Sequence, residues 1–249
     1  MKAVLYICHG SRIKEGAKQA AAFIDATMPL VDAPIQEICY LELAKPSIEE
    51  GIASCVKKGA TEIVAVPFLL LTAGHAKEDI PEELFKAAEL YPDLTIRYGR
   101  PLGVHEHIID VLIDRMKEAS PIQTDASVLL VGRGSSDPET KQDFNQICRL
   151  FKEKTKLSDI HIGYLAACEP SFDDALNHLI ASRPKQLFIV PYILFTGILT
   201  KAMERTVKKL ETDAEVHLCR HLDYDPVIGE ILAERVKEAS LEEPICFPS

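Results

Sequence analysis

The amino-acid sequence predicts an α/β fold in two similar lobes, each a parallel four-stranded sheet flanked by helices. Three observations lead there. Short apolar β-rich runs alternate with longer helical patterns along the whole chain. That alternation recurs after 124 residues, and three sequence segments repeat at the same offset. A strand-helix-strand succession in turn implies parallel pairing by right-handed crossovers, which places helices on both faces of each sheet.

In the first repeat, strands are expected at 3 to 8, 35 to 41, 62 to 67 and 94 to 98, and helices near 15 to 27, 46 to 58, 77 to 90 and 104 to 118. The second repeat places strands at 127 to 132, 159 to 165, 186 to 191 and 215 to 220. Its helices are expected near 139 to 153, 170 to 182, 198 to 210 and 224 to 239. The register is carried by Val4–Ser11 against Val128–Ser135, Tyr40–Ser47 against Tyr164–Ser171, and Pro67–Thr72 against Pro191–Thr196. Near the ends, Arg115–Ser120 meets Arg235–Ser240 at an offset of 120, so the second repeat is four residues shorter. The deletion is placed between Ala88 and Leu94, where Tyr91-Pro92-Asp93 reads as a turn. Pro46-Ser47 and Pro170-Ser171, each followed by acidic residues, mark helix starts. The expected lobes are 1–120 and 127–240, joined by a polar linker at 121–126 and followed by a loosely held tail at 241–249.

Composition bounds the function. With 249 residues, 47% hydrophobic and 27% charged, the chain reads as an ordinary globular protein. A net charge of −10 argues against nucleic-acid or anionic-membrane partners. No apolar run approaches a membrane span and no signal sequence is evident, so a cytoplasmic location is expected. Seven cysteines without a CxxC pattern form neither a disulfide framework nor a zinc or iron-sulfur motif, and each is read as a small hydrophobe.

Ligands of open parallel sheets bind beyond the carboxyl ends of the strands. In the first repeat those positions carry His9, Glu42 and the loop leading to His75, with Gly74 expected to supply backbone freedom. The second repeat carries Arg133, Ala166 and Leu199 instead. Two imidazoles and a carboxylate present at one rim and absent from the other read as a site kept once after duplication. Neutral imidazole suits divalent transition metals and also accepts protons near neutral pH. The remaining histidines, at 105, 107, 161, 178, 217 and 221, are read as structural or surface residues. Neither Gly10-Ser11 nor Gly134-Ser135 completes a dinucleotide or P-loop motif, although both sit where a helix N-terminus could cradle an anion.

Ile7-Cys8-His9-Gly10-Ser11-Arg12, Tyr40-Leu41-Glu42 with Pro46-Ser47, and Val66–Leu69 running to Gly74-His75 together resemble the class II tetrapyrrole chelatases, over nearly the full length. The likeness is strongest to the long, two-half sirohydrochlorin chelatases of siroheme biosynthesis. It implies two chelatase-like lobes with a cleft between them, and insertion of Fe²⁺ into sirohydrochlorin without ATP or an organic cofactor. It also carries the metal site onto His9 and His75 and the acidic site residue onto Glu42. The sequence has no His-rich tail and no C-terminal cysteine cluster, which speaks against an iron-sulfur cofactor. Cobalt-inserting relatives share the same His pair, so the resemblance leaves Co²⁺ open as the metal. Sirohydrochlorin is a polycarboxylate, and an acidic protein must bind it through local cations; Arg12, Lys14, Lys45, Arg133 and Lys201 are the candidates. A duplicated chain is expected to suffice as a monomer. The competing expectations are a non-catalytic metal or tetrapyrrole carrier and a metal-assisted hydrolase using the same three residues.

Overall fold

A computed structural model describes residues 1–11 and 14–245, with Lys14 described by its backbone alone. Each repeat forms one sheet. In the first, β1 (Lys2–Cys8), β2 (Ile35–Tyr40), β3 (Glu62–Phe68) and β4 (Thr95–Tyr98) align parallel in the order β2-β1-β3-β4. In the second, β5 (Ser127–Gly132), β6 (Ile160–Tyr164), β7 (Gln186–Tyr192) and β8 (Glu215–Leu218) repeat that order as β6-β5-β7-β8. The helices are α1 (Lys14–Thr27), α2 (Ile48–Lys57), α3 (Ile80–Leu90), α4 (Glu106–Ala119), α5 (Glu139–Thr155), α6 (Phe172–Ala181), α7 (Ile198–Lys208) and α8 (Pro226–Ala239).

The strands are apolar because both faces of each sheet are covered. Along β1 the side chains alternate between two layers: Ala3, Leu5 and Ile7 enter the core with Ile48 and Ile52 of α2 and Ile80 and Leu84 of α3. Val4 and Tyr6 point to the opposite face and are equally buried. The second sheet does the same, with Leu129 and Val131 of β5 packed among Leu176 and Leu179 of α6 and Met203 of α7. Of the cysteines expected to act as hydrophobes, Cys8, Cys39, Cys55 and Cys219 are buried, whereas Cys148 and Cys168 are only partly buried and the Cys168 thiol donates to the Ser135 carbonyl at 2.8 Å. Burial pushes the thiols of Cys8 and Cys55 up to about 12, so neither is a thiolate near neutral pH. Cys246 lies outside the described residues.

The sequence repeats and the compact units do not coincide. One unit comprises 1–103 with 226–249, the other 104–225. The last helix of each repeat is exchanged: α8 packs on β3 and α1, and α4 packs on β7 and α5. Two equivalent buried arginines fasten the exchange. Arg115 of α4 donates to the Leu222 carbonyl at 3.1 Å and to Asp225 at 2.8 Å. Arg235 of α8 donates from Nε and Nη2 to the Leu102 carbonyl at 3.2 and 3.0 Å. Each also pairs with a glutamate one turn on, Glu118 or Glu238, that binds a further arginine, Arg220 or Arg100. Such reciprocity leaves the buried guanidinium charges compensated. The segment 121–126 accordingly lies within the second unit rather than at its edge.

The tail expected to be loosely held is anchored as far as Ile245. Its N–H bonds the Ile96 carbonyl at 2.8 Å, its side chain packs on the first core, and Arg97 donates to the Glu242 carbonyl. Residues 246–249 lie outside the described residues. The expected gap falls in the helical segment before β4, which runs from 75 to 90 in the first repeat and from 198 to 208 in the second.

Candidate metal centre

Three loops at the carboxyl rim of the first sheet bring the predicted residues together. His9 directly follows β1 and Glu42 follows β2 by two residues. Backbone bonds stitch these loops to each other: Leu41 N–H donates to the Cys8 carbonyl at 2.8 Å and Glu42 N–H to the His9 carbonyl at 3.1 Å. Gly10 makes the approach possible. Its φ is +93°, and a Cβ there would fall 1.7 Å from the Glu42 carbonyl oxygen, so only glycine fits. Downstream, Ser47 caps α2 by accepting from Glu50 N–H at 3.3 Å, while Glu50 accepts from Ser47 N–H at 2.7 Å. That reciprocal bond fixes the far end of the loop carrying Glu42, and the Ser47 N–H holds the Glu50 carboxyl below its ordinary range.

His75 stands on a π-helical turn, His75–Asp79, leading into α3. The helix therefore begins ahead of the expected position 77. Gly74 has helical φ and ψ of −44° and −47°, and a Cβ there would meet nothing within 4 Å. The conformational freedom expected of it is not used; Gly10 is the glycine on which the site's backbone depends.

The His9 and His75 rings lie 4.8 Å apart, edge to face at 88°. His9 Nδ1 is 3.5 Å from Glu42 Oε1. One donor atom from each of His9, Glu42 and His75 lies within 4.8 Å of the others, and among the described residues this is the one such group of three. Donors closed on a metal at about 2.0–2.2 Å would sit roughly 3.0–3.5 Å apart, so this is a loose set that must draw in to hold an ion. Side-chain exposures of 26% for His9, 36% for His75 and 44% for Glu42 leave it accessible to solvent-borne ligands.

One further residue enters the site that the sequence reading did not single out. Asp79 Oδ2 lies 2.7 Å from His75 Nδ1. A carboxylate at that distance keeps the proton on Nδ1 and turns the Nε2 lone pair outward, the arrangement that orients histidine ligands of metals. The signal was present as an i, i+4 pair, but a helix starting at 77 would have left His75 outside it.

The six other histidines all lie in the second unit, and most have local partners. His105 Nδ1 accepts from His107 N–H at 3.2 Å, capping α4. His161 pairs with Asp159 at 2.8 Å, and His217 pairs with Glu215 at 2.9 Å and stacks on Phe188. His221 is partly buried, and burial holds its imidazole below its ordinary pKa.

Of the five cations expected to meet substrate carboxylates, Arg12 and the side chain of Lys14 lie outside the described residues. Lys45 reaches back to Glu50 at 2.9 Å. Arg133 and Lys201 are exposed in the second unit. There the rim keeps the same backbone without the imidazole pair and the carboxylate. Ala166 N–H donates to the Arg133 carbonyl at 2.9 Å, and a Cβ on Gly134, φ +84°, would fall 1.8 Å from the Ala166 oxygen.

No helix among the described residues is long and apolar enough to cross a membrane. The CbiX family model matches the chain twice, over residues 3–119 and 127–239. A sirohydrochlorin ferrochelatase of Priestia megaterium is 48% identical over 239 residues, covering 95% of this chain and 90% of the relative. A sirohydrochlorin cobaltochelatase of the same species is 37% identical over 246 residues, covering 96% and 80%. The solved structure of SirB from Bacillus subtilis with Fe³⁺ superposes with a TM-score of 0.87 at 40% identity, covering 96% of each chain. Two matched repeats, each with the same four-stranded parallel sheet, and relatives alike along nearly their whole length establish that this chain belongs to the CbiX family of chelatases.

Proposed function

We propose that the chain is a sirohydrochlorin ferrochelatase, a lyase-class enzyme that inserts Fe²⁺ into sirohydrochlorin in siroheme biosynthesis without ATP. The observation that carries this reading is the convergence of His9, Glu42 and His75 on one rim, where the second repeat holds Arg133, Ala166 and Leu199 on the same backbone. The names of the relatives agree with it, ferrochelatase at 48% identity standing ahead of cobaltochelatase at 37%.

Metal insertion exchanges one Fe²⁺ for two pyrrolic protons and requires the ion to shed water in steps. Both demands favour weak, rearrangeable ligands over a closed cage. His75, its Nδ1 proton engaged by Asp79, presents Nε2 to the incoming ion. His9, partly buried and beside Glu42, either shares the ion or takes up a ring proton. Glu42 steadies the resulting imidazolium or accepts the second proton. No electron changes hands, so the two protons and the metal balance the step. Arg12, Lys14, Lys45, Arg133 and Lys201 are the cations proposed to meet the substrate's carboxylates. The Michaelis constant for sirohydrochlorin is expected to rise with ionic strength, and a salt-independent value would remove them from the account.

Imidazole and carboxylate donors serve Co²⁺ as readily as Fe²⁺, so cobalt is the second metal to test. Anaerobic absorption spectroscopy of excess sirohydrochlorin with protein and either ion separates the possibilities. Multiple turnover, faster with Fe²⁺, is the expected result. Conversion no faster than without protein would leave a carrier in place of an enzyme.

A further inference from the structure

Past the ends of β7 and β8, the second unit sets an aromatic pair at its carboxyl rim. Leu222 N–H donates to the Ile193 carbonyl at 2.9 Å and Asp223 N–H to the Leu194 carbonyl at 2.8 Å, which ties the two loops together. Phe195 and Tyr224, the residues that follow, stand with ring centroids 5.9 Å apart. Ile198 opens α7 three residues after Phe195. Tyr224 is 47% exposed and Ile198 57%, and large apolar side chains gathered at one place in water mark a binding surface. We infer that Phe195, Tyr224 and Ile198 form a platform for one face of the sirohydrochlorin macrocycle, with Lys201 taking a carboxylate at the ring's edge; this rests on the substrate proposed above.

The charges beside the platform favour an anionic ligand. In α7, Lys201, Arg205 and Lys208 stand against Glu204 alone, and the first turn holds no acidic residue. The corresponding segment of the first repeat, 75–90, carries five acidic residues and two lysines. On a chain of net charge −10, a basic helix next to exposed rings fits a flat molecule with carboxylates around its edge. Lys201 lies one turn from Ile198 and makes no ion pair among the described residues. The planes of Phe195 and Tyr224 are tilted by 53°, so a ring stacked on one meets the edge of the other, and both are favoured contacts between aromatic systems.

The first repeat ties its loops with the same bonds, Leu102 N–H to the Leu69 carbonyl at 3.0 Å and Gly103 N–H to the Leu70 carbonyl at 2.8 Å. The residues that follow there are Leu71 and Val104, and the counterpart of Ile198 is Gly74. The second repeat thus exchanges two aliphatic side chains and a glycine for two aromatic rings and an isoleucine. Immediately before Tyr224, Asp223 holds a φ of +53° where the first repeat uses Gly103 at +74°, a left-handed turn that costs more with a side chain than without one. One repeat holds the groups for the metal, the other a surface for the ring.

The test titrates the full chain with metal-free sirohydrochlorin, followed by the shift in its absorption. Tyr224→Ala is expected to raise the dissociation constant roughly tenfold and Lys201→Glu several-fold, while Tyr224→Phe, which keeps the ring, stays within about twofold of the parent. Circular dichroism checks the fold of each variant, and the Michaelis constant for sirohydrochlorin should rise in step. Unchanged affinity in both Tyr224→Ala and Phe195→Ala, or a parent chain that binds no metal-free sirohydrochlorin, would overturn the platform. So would a dimer that Tyr224→Ala dissociates without changing this affinity, since the patch would then be an interface between copies. Binding that depends on Tyr224 in a chain without turnover would uphold the platform and remove the chelatase reading, so the two are separable.

Discussion

The two repeats offer the same scaffold with and without an imidazole pair and a carboxylate at the rim. After β1 and β2, and again after β5 and β6, the loops are tied by the same carbonyl bonds and by a glycine whose missing Cβ lets them touch. On that frame the first repeat sets His9, Glu42 and His75, the second Arg133, Ala166 and Leu199. The comparison teaches that in this fold the backbone provides a place, while the side chains set on it differ: on the proposed reading, His9, Glu42 and His75 are what make the first rim a metal site. The divergence continues elsewhere: Glu37, Ser54 and Lys58 of the first repeat stand where the second has His161, His178 and Ser182.

The strongest way to break the comparison is to give the first rim the side chains of the second. The variant His9→Arg, Glu42→Ala, His75→Leu is expected to fold, because these positions are partly exposed, and to lose chelation by a factor of about a hundred or more. Circular dichroism and anaerobic turnover check both halves of that statement.

A second test breaks the scaffold equally in both repeats. Gly10→Ala and Gly134→Ala each drive a Cβ into a carbonyl oxygen at a positive φ, and each is expected to cost about 2–4 kcal/mol of stability in denaturant titrations. Only Gly10→Ala should also slow turnover in the fraction that remains folded, since only there does the displaced loop carry Glu42.

Asp79 sharpens the account within the first repeat. Asp79→Ala is expected to raise the Michaelis constant for the metal roughly tenfold with a smaller change in kcat. Asp79→Asn, which keeps an acceptor for Nδ1–H, should recover part of the loss. Equal kinetics for the two variants and the parent protein would show that His75 needs no orientation.

The smallest expected effect concerns pH and belongs to the second unit alone, since the counterpart of His221 is Pro101. Burial holds His221 below its ordinary pKa, and its Nε2 has no hydrogen-bond partner among the described residues. The folded chain therefore keeps this imidazole neutral where the unfolded chain takes up a proton. Its contribution to stability is present above the unfolded pKa near 6.5 and is lost as pH falls through the lowered value. His221→Gln should flatten the acid limb of the stability profile, and an unchanged limb would contradict the assignment.

Much of this was legible in the residues. The apolar runs located every strand to within about two residues, because β-rich runs buried on both faces leave a plain apolar signature. His9, Glu42 and His75 stood out by contrast with their counterparts. The exchange of α4 and α8 was not legible, because a repeat records ancestry and carries no sign of which sheet a terminal helix covers. Arg115 and Arg235 stood out only as the start of a repeated segment, and their carbonyl acceptors lie 107 and 133 residues away. Asp79 stayed hidden behind a π-turn that moved the helix start ahead of His75, and Gly74 drew attention that belonged to Gly10.

The most direct test of the central claim is anaerobic multiple-turnover conversion of sirohydrochlorin with Fe²⁺ by His9→Ala and His75→Ala, beside Arg133→Ala and Leu199→Ala at the matching places of the second repeat. The account predicts that both histidine variants fall at least about a hundredfold in kcat while the second-repeat variants keep theirs, Arg133→Ala changing at most the Michaelis constant for sirohydrochlorin. Full turnover by either histidine variant, or an equal loss of kcat in the second-repeat variants, would contradict it.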